Sequence, residues 1–594
     1  MKTSRFIIPL LISFLSFGCS NNKKINDNNN YDSDITDDIT DDGEQNEFDS
    51  FTIPEEKITI PDQYDDFEND TISQTGHYYL KGDYSSIRIT ASKGTELFIF
   101  LDGVSISSSE GIAFGSSKQI KLHLVLLNNS INSISNDFED ENAFHIKGDV
   151  FLSGNGTLNA ISKQKNGLKV SKDLYVYEGV TINATGYNHA ITARSIISKG
   201  ATINVVSETK DGLQAECEDE ITEFTKEQGF IYLVNTAFTA DTYGDGMQAD
   251  TFIYISGGTY NITTHGEFIS YSKSNMEQYG LSTDDFKYVF SDDDYKRVAK
   301  DEIRSLSSRY YALVNSVKGI KTGVIEYPGE DGDVEVTTGD YQVYIAHLAT
   351  ITINSTDDCV HANYGKVTID NSNLDLHTYD DGVHADYNLI VNNVSIDISR
   401  SYEGLEGSGV TVNGDKTNIV SISEDDGINA ASDYSKDNNI IINDGYLRVF
   451  ASGDGLDANN DLYLNGGTII VEGPGRMNGS LDAEQIYFNG GIVLACSTSG
   501  MTERMSATQY TFAYQGNTIS ENTKISIVDT NSNALFSYTL KQSCNQIIFS
   551  HPDLAKGQTY YIYSGSTKIA SIEMTSTIVK TGINQGGPGG GGRP

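Results

Sequence analysis

Tryptophan is absent from the 594 residues, so a surface that stacks against a flat ligand must draw its platform from the 35 tyrosines. Basic residues are few: 41 Lys and Arg stand against 82 Asp and Glu, a formal net charge of -41. That balance argues against binding nucleic acid or an anionic membrane surface through bulk charge. It fits an exported protein that handles cations, and a merely solvated acidic surface would read the same way. The five cysteines are Cys19, Cys217, Cys359, Cys496 and Cys544. No spacing among them suits a zinc site or a small disulfide framework, and a Cys496–Cys544 bridge stays open. Helical periodicity is scarce before residue 270. No nucleophile triad, phosphate loop or acid/base carboxylate pair with readable spacing stands out.

The start of the chain is not fold. Lys2 and Arg5 precede an apolar stretch from Phe6 to Phe17, too short to span a membrane as a stable helix. It ends at Gly18-Cys19-Ser20 and resembles a bacterial lipoprotein signal, although Ser16 stands where Leu is usual. The expectation is a signal peptide over 1–18, lipid on Cys19, and a disordered Asn- and Asp-rich tether over 19–50. A Gly-rich tail is expected over 579–594.

Between these ends a short phrase keeps returning. It reads Asp211-Gly212-Leu213-Gln214-Ala215, Asp245-Gly246-Met247-Gln248-Ala249, Asp358-Cys359-Val360-His361-Ala362 and Asp381-Gly382-Val383-His384-Ala385. Glu403-Gly404-Leu405-Glu406-Gly407, Asp426-Gly427-Ile428-Asn429-Ala430, Asp454-Gly455-Leu456-Asp457-Ala458 and Ser480-Leu481-Asp482-Ala483 continue it. Val360 to Val383 is 23 residues, Val383 to Leu405 is 22, and Leu405 to Ile428 is 23. Such a period signals stacked repeats. Each unit holds brief strands such as Lys366-Val367-Thr368-Ile369 and Leu374-Asp375-Leu376-His377, separated by turns. A coil of about 22 residues closes as a triangular rung, and rungs pair in parallel about 4.8 Å apart. The strictly small position two after each centre predicts a tight interior corner. The Gly before each centre predicts either positive φ or close backbone approach. The predicted fold is all-β, a right-handed parallel β-helix over 51–495. A partly helical insertion at about 268–311 and a C-terminal β-rich cap over 496–578 complete it.

Stacking turns sequence positions into columns. Two before the centre stand Asp211, Asp245, Asp358, Asp381, Glu403, Asp426 and Asp454. One after it stand His361, His384, Glu406, Asn429, Asp457 and Asp482. Three before it stand Asp357, Asp380 and Asp425. Neighbouring carboxylates at about 5 Å repel by roughly 3 kcal/mol at an effective dielectric of ~20. Water, protonation or a cation must offset that. Calcium takes six to eight oxygen ligands in flexible geometry, and the predicted metal ligands are Asp357, Asp358, Asp380, Asp381, Glu403, Glu406, Asp425, Asp426, Asp454 and Asp457. The competing reading makes these residues turn formers, since Asp before Gly is ordinary turn chemistry. His361 and His384 read as hydrogen-bonding rungs beside the acidic turns, with metal ligation as the alternative. Tyr364, Tyr379, Tyr387 and Tyr402 lie near those turns and would either pack or stack on a ligand.

The phrases Lys318-Gly319-Ile320-Lys321, Asp357 to Ala362, Asp380 to Ala385, Tyr402 to Gly407 and Asp425 to Ala430 resemble one family. It comprises bacterial calcium-binding, right-handed parallel β-helix proteins that bind carbohydrate, founded on a clostridial cellulose- and pectin-binding protein. Gly76 to Gly82 and Leu101-Asp102-Gly103-Val104 are similar to its N-terminal part. The resemblance spans about residues 70 to 495. It is distantly similar to family 9 polysaccharide lyases. It implies the fold, calcium as cofactor, and cellulosic or pectin-like polysaccharide as partner; by their position beside the acidic turns, His361, His384, Tyr379, Tyr387 and Tyr402 are the candidate ligand contacts. The expectation is thus a monomeric, lipid-anchored lipoprotein of the bacterial outer membrane or cell surface. One alternative is a calcium-dependent pectate-type lyase, whose base would be sought among Lys318, Lys321, Lys366 and Arg400. The other is a structural spacer or adhesin without a sugar site.

Overall fold

The computed structural model describes residues 51–56, 58–217, 226–266, 317–323, 341–431, 435–473, 478–498 and 504–582, and the backbone of 268–272, 289–290 and 309–313. The signal peptide, Cys19 and the tether lie outside the described residues. Among the described residues every regular element is a strand, and no helix is long and apolar enough to cross a membrane. The chain winds into a parallel β-solenoid of about 14 turns.

Each turn gives one strand to each of three parallel sheets. The first sheet is made by the repeated phrase: Val360–Ala362 pairs with Val383–Ala385, which pairs with Leu405–Gly407, then Ile428–Ala430. The second sheet runs through Gly365–Asp370, Leu389–Asn392 and Val410–Asn413. The third runs through Asn373–His377, Ser395–Ser401 and Asn418–Ser423. Register stacks Val360 on Val383, Val383 on Leu405 and Leu405 on Ile428, so one buried apolar column follows the axis. These four side chains have no exposed area, and burying each contributes about 1.5–3 kcal/mol.

The glycine before each centre serves close approach and not a left-handed turn. A Cβ on Gly382 would lie 2.6 Å from the carbonyl oxygen of Gly404, and one on Gly404 would lie 2.3 Å from that of Gly427. Neither has positive φ. The small residues two after the centre are buried at the corner, Ala362 and Ala430 completely.

Outward-facing side chains form ladders as well. Asn413, Asn443, Asn465 and Asn489 each donate from Nδ2 to the Oδ1 of the asparagine one rung earlier, beginning at Asn392, over 2.7–2.8 Å. Such ladders and stacked rings add to in-register parallel pairing.

Two excursions leave the first sheet between Leu213 and Ile320, although Leu213–Ala215, Met247–Ala249 and Ile320–Thr322 still pair in register. Within the second excursion, Phe268–Ser272 and Val289–Phe290 both pair antiparallel with Arg309–Leu313. Apolar spacing predicts a partly helical insertion here. The described part is strand, including Val289–Phe290, because tertiary pairing overrides a weak local period; the rest of that stretch lies outside the described residues. At the far end, Cys544–Ser550 pairs antiparallel with Ile492–Ser497 of the third sheet and with Thr511–Ile519, which covers an edge that would otherwise be open to strand addition. Ile578–Thr581 pairs with Thr511–Tyr514, so sheet structure continues past 578 into the stretch expected to be tail. Cys496 and Cys544 are buried free thiols. A hydrogen bond with Cys544, then burial, raises the Cys496 thiol.

Candidate functional site

The corner that leads into the first sheet turns sharply, and its backbone N–H groups need acceptors. The column two before the centre supplies them. Asn142 Oδ1 accepts from the Asn166 N–H at 3.2 Å, and Asn166 Oδ1 accepts from His189 N–H at 3.2 Å. Asp211 Oδ1 then accepts from Asp245 at 2.8 Å, and Asp245 Oδ1 from Lys318 at 2.7 Å. Asp358 and Asp381 accept from Asp381 and Glu403, each at 3.1 Å. Asp426 accepts from Asp454 at 2.5 Å, and Asp454 from Gly479. One oxygen per side chain is therefore consumed by the fold, and asparagine does this as well as aspartate. The turn-former reading accounts for that oxygen and leaves the second carboxylate oxygen unexplained.

In the first acidic rungs the second oxygens meet side-chain cations. Lys318 occupies the capping column, and its Nζ donates to Asp357 Oδ2 at 2.9 Å and Asp358 Oδ2 at 2.5 Å. Lys321 Nζ is 3.6 Å from Asp245 Oδ2. His361 Nδ1 is 2.5 Å from Asp358 Oδ2. His384 Nδ1 lies 2.9 Å from Asp381 Oδ2 and 2.7 Å from Glu406 Oε2, while its Nε2 lies 3.3 Å from Asp386 Oδ1. Lys318, Asp357, Asp358, Asp380, Asp381 and His361 are all buried. Burial favours the uncharged imidazole, and with the charges of Lys318 and His384 it pushes His361 down to about 4. For His384 the carboxylates of Glu406, Asp381 and Asp386 overcome burial and hold the ring well above its ordinary range. The same contact, against burial, keeps Asp381 below the usual carboxylate range.

Among the later acids of the corner, Glu406 still meets His384. Among the described residues no ammonium, guanidinium or imidazole pairs with Glu403, Asp425, Asp426 or Asp454. Burial and the charges of Glu406, Asp381 and Asp426 raise Glu403 well above its usual range. Burial, Asp425 and Asp457 push Asp426 up to about 9, and burial with Asp457 and Asp482 pushes Asp454 up to about 7. Asn429 Nδ2 donates to Glu403 Oε2 at 2.8 Å, yet its buried Oδ1 has no hydrogen-bond donor. Register places Asn429 between Glu406 and Asp457. This set offers oxygen only, includes an orphaned acceptor, and suits a hard cation such as calcium.

The other predicted residues fall into place differently. Arg400 pairs with Glu424 at 2.9 Å and lies 4.2 Å over the Tyr379 ring, so that face of Tyr379 is occupied. Tyr387 and Tyr402 are half-buried, and Lys366 is exposed on the second sheet. Lys318 and Lys321 are engaged by carboxylates, which is the work of structural cations.

Two features escaped sequence reading. His77, Phe98, His123, Phe151 and Tyr175 stack in one outward column of the second sheet, with successive centroids 4.3–4.9 Å apart; Tyr232 and Tyr254 continue it at 4.6 Å. Aromatic recurrence at one rung position would have revealed it. Ring faces that pair with one another leave edges and not faces for a ligand. The second feature is a cleft beside the early phrase rungs, lined by Asn166, Lys165, Lys169, His189, Lys210 and Gln214 among others. Its lysines are scattered in sequence and meet only through the rung geometry.

A family model of carbohydrate-binding domain-containing proteins matches residues 67–382 and 374–538. One solved structure, the polysaccharide lyase-like protein from C. thermocellum as its gadolinium derivative, is 20% identical, with 33% of this chain and 81% of that chain aligned and a TM-score of 0.29. No curated protein matches the chain.

Proposed function

The chain belongs to the carbohydrate-binding domain-containing family, and from that premise we propose a calcium-assisted polysaccharide binder that works along the corner of the first sheet. One observation carries the calcium part: Asn142 and Asn166 cap the corner without charge, so Asp426 and Asp454 need one capping oxygen each for the turn but not their charge. Their repulsion and partial burial cost stability that a cation offsets. Glu403, Glu406, Asp426, Asp457 and the Oδ1 of Asn429 would hold the ion. Calcium supplies positive charge there, which lets an acidic sugar chain approach a protein of net charge -41. Lys165, Lys169 and Lys210 in the earlier cleft give carboxylated sugars a second, metal-independent foothold, which favours pectin-like over neutral chains.

The export reading completes the proposal: lipid on Cys19 tethers the protein to the bacterial surface, and Cys19→Ala would shift it to the soluble fraction. The binding test measures polygalacturonate affinity with and without chelator, in the native chain and in Asp426→Asn with Asp454→Asn. Calcium-dependent affinity should fall in the double variant while its β-rich spectrum stays intact. Unchanged affinity under chelation and in the variant would remove calcium from the binding reading.

A further inference from the structure

The calcium reading leaves one buried nitrogen unused. His361 is 7% exposed, and its Nε2 has no hydrogen-bond partner. Its Nδ1 faces Asp358 Oδ2 at 2.5 Å, an ionised carboxylate already held by Lys318. That contact places the proton on Nδ1 and turns the Nε2 lone pair outward from the carboxylate. The next rung repeats the arrangement. His384 stacks on His361 with centroids 4.3 Å apart and rings 7° from parallel, and its Nδ1 faces Asp381 Oδ2 at 2.9 Å. Each ring keeps its Nδ1 on the carboxylate three residues earlier, so the two Nε2 atoms point the same way. Asp386 Oδ1 lies 3.3 Å from His384 Nε2, while Asp386 Oδ2 accepts the Tyr364 N–H at 2.7 Å. The His384 and Asp386 side chains keep 16% and 17% of their area exposed, which leaves an entry path.

We propose that His361 Nε2, His384 Nε2 and Asp386 form a site for a borderline divalent transition ion such as zinc, adjoining the calcium rungs at Glu406, whose Oε2 lies 2.7 Å from His384 Nδ1. Two imidazoles and one carboxylate with an open position match zinc's ligand preferences. Asp358 and Asp381 stand behind the two rings as the outer partners that fix tautomer and raise ligand basicity. Imidazole pairs select zinc, copper or nickel over calcium. The rings run parallel in the stack, so they must tilt toward each other for both Nε2 lone pairs to converge on an ion about 2.0–2.1 Å from each nitrogen. On binding, the ion takes the place of the proton on His384 Nε2, which leaves to solvent.

The test titrates zinc into the full chain in saturating calcium, with cobalt as the spectroscopic probe. One equivalent should bind, and cobalt should show the visible bands of a low-coordinate His-ligated site. His361→Ala and Asp386→Asn should each weaken zinc at least tenfold and erase the bands, with calcium affinity unchanged. Asp386→Asn is nearly isosteric and partly exposed, so it reports even where the histidine variant folds poorly. Absence of zinc uptake by the native chain, or native zinc affinity retained in both variants, would overturn the site and leave the calcium reading standing.

Discussion

The same corner of the solenoid is built twice with opposite electrostatics. In its early rungs Asn142 and Asn166 cap the backbone and lysines line the cleft beside them. In its late rungs Asp426 and Asp454 cap the backbone in the same way, yet no described side-chain cation pairs with them. Between the two lies a transition in which Lys318, Lys321 and His384 neutralise the acids from inside. Capping and charge are therefore separable. Where Asn or Asp stands in the capping column the fold uses one oxygen and is indifferent to the second, so charge can vary without loss of the cap.

The sharpest way to break the comparison is to turn the transition into a late rung. Lys318→Met strands Asp357 and Asp358, both buried. Removing one partner of a buried ion pair costs about 3–5 kcal/mol. Denaturant unfolding should show a loss of that order, and calcium should now recover part of it, which it cannot do where an ammonium fills the place.

Chelation comes next. If the late rungs hold calcium, the native state gains about 2.7 kcal/mol at a free concentration one hundred times the dissociation constant. Melting with and without chelator reads this, with calcium rather than magnesium restoring the loss because magnesium demands stricter geometry.

A smaller effect separates the regions by pH. In calcium-free protein Asp426 is raised to about 9 and Asp454 to about 7. A raised folded value means the native state binds the proton more tightly. The stabilisation is complete below the unfolded carboxylate range of about 4 and is lost as pH rises through 7 and then 9. Asp381 is lowered, so its stabilisation is present above about 4 and is lost only on further acidification. Calcium-free protein should thus become more stable from pH 9 down to 5. Saturating calcium should flatten that slope, and a calcium-free protein without such a slope would show the late acids to be well solvated.

The smallest effect is expected at the early end. Asn166→Asp keeps the capping oxygen and adds a charge beside Lys165, Lys169 and Lys210. Asn166 is buried, so the variant should lose some stability, but less than Lys318→Met because the lysines offset the new charge, with no new calcium response.

Much of this was legible because register in a solenoid is sequence arithmetic. Val360, Val383, Leu405 and Ile428 stack as their spacing requires, and the columns of acids follow from the same count. The repeated phrase does not reach the first rungs. Ile87–Ile89 and Phe114–Ser116 pair into the first sheet without the phrase, since inward apolar residues suffice where no charged column is built. In the insertion, local spacing does not show the antiparallel pairing of Phe268–Ser272 and Val289–Phe290 with Arg309–Leu313. Most of all, spacing shows that acids align but not which of them find a cation. That Lys318 would reach Asp357 and Asp358, 39 and 40 residues away, depends on side-chain reach across one rung, where the step from Ile320 to Val360 departs from the repeat period.

The distribution of calcium along the corner decides between a functional and a purely structural set of acids. Anomalous scattering from crystals grown in calcium locates the ions directly. Density between the rungs of Glu403, Glu406, Asn429, Asp426 and Asp457, and none between Asp357 and Asp358 where Lys318 sits, is the expected result. An ion at Asp357 and Asp358 with Lys318 displaced, or late rungs empty at saturating calcium, would contradict the division of the corner into internally and externally neutralised halves.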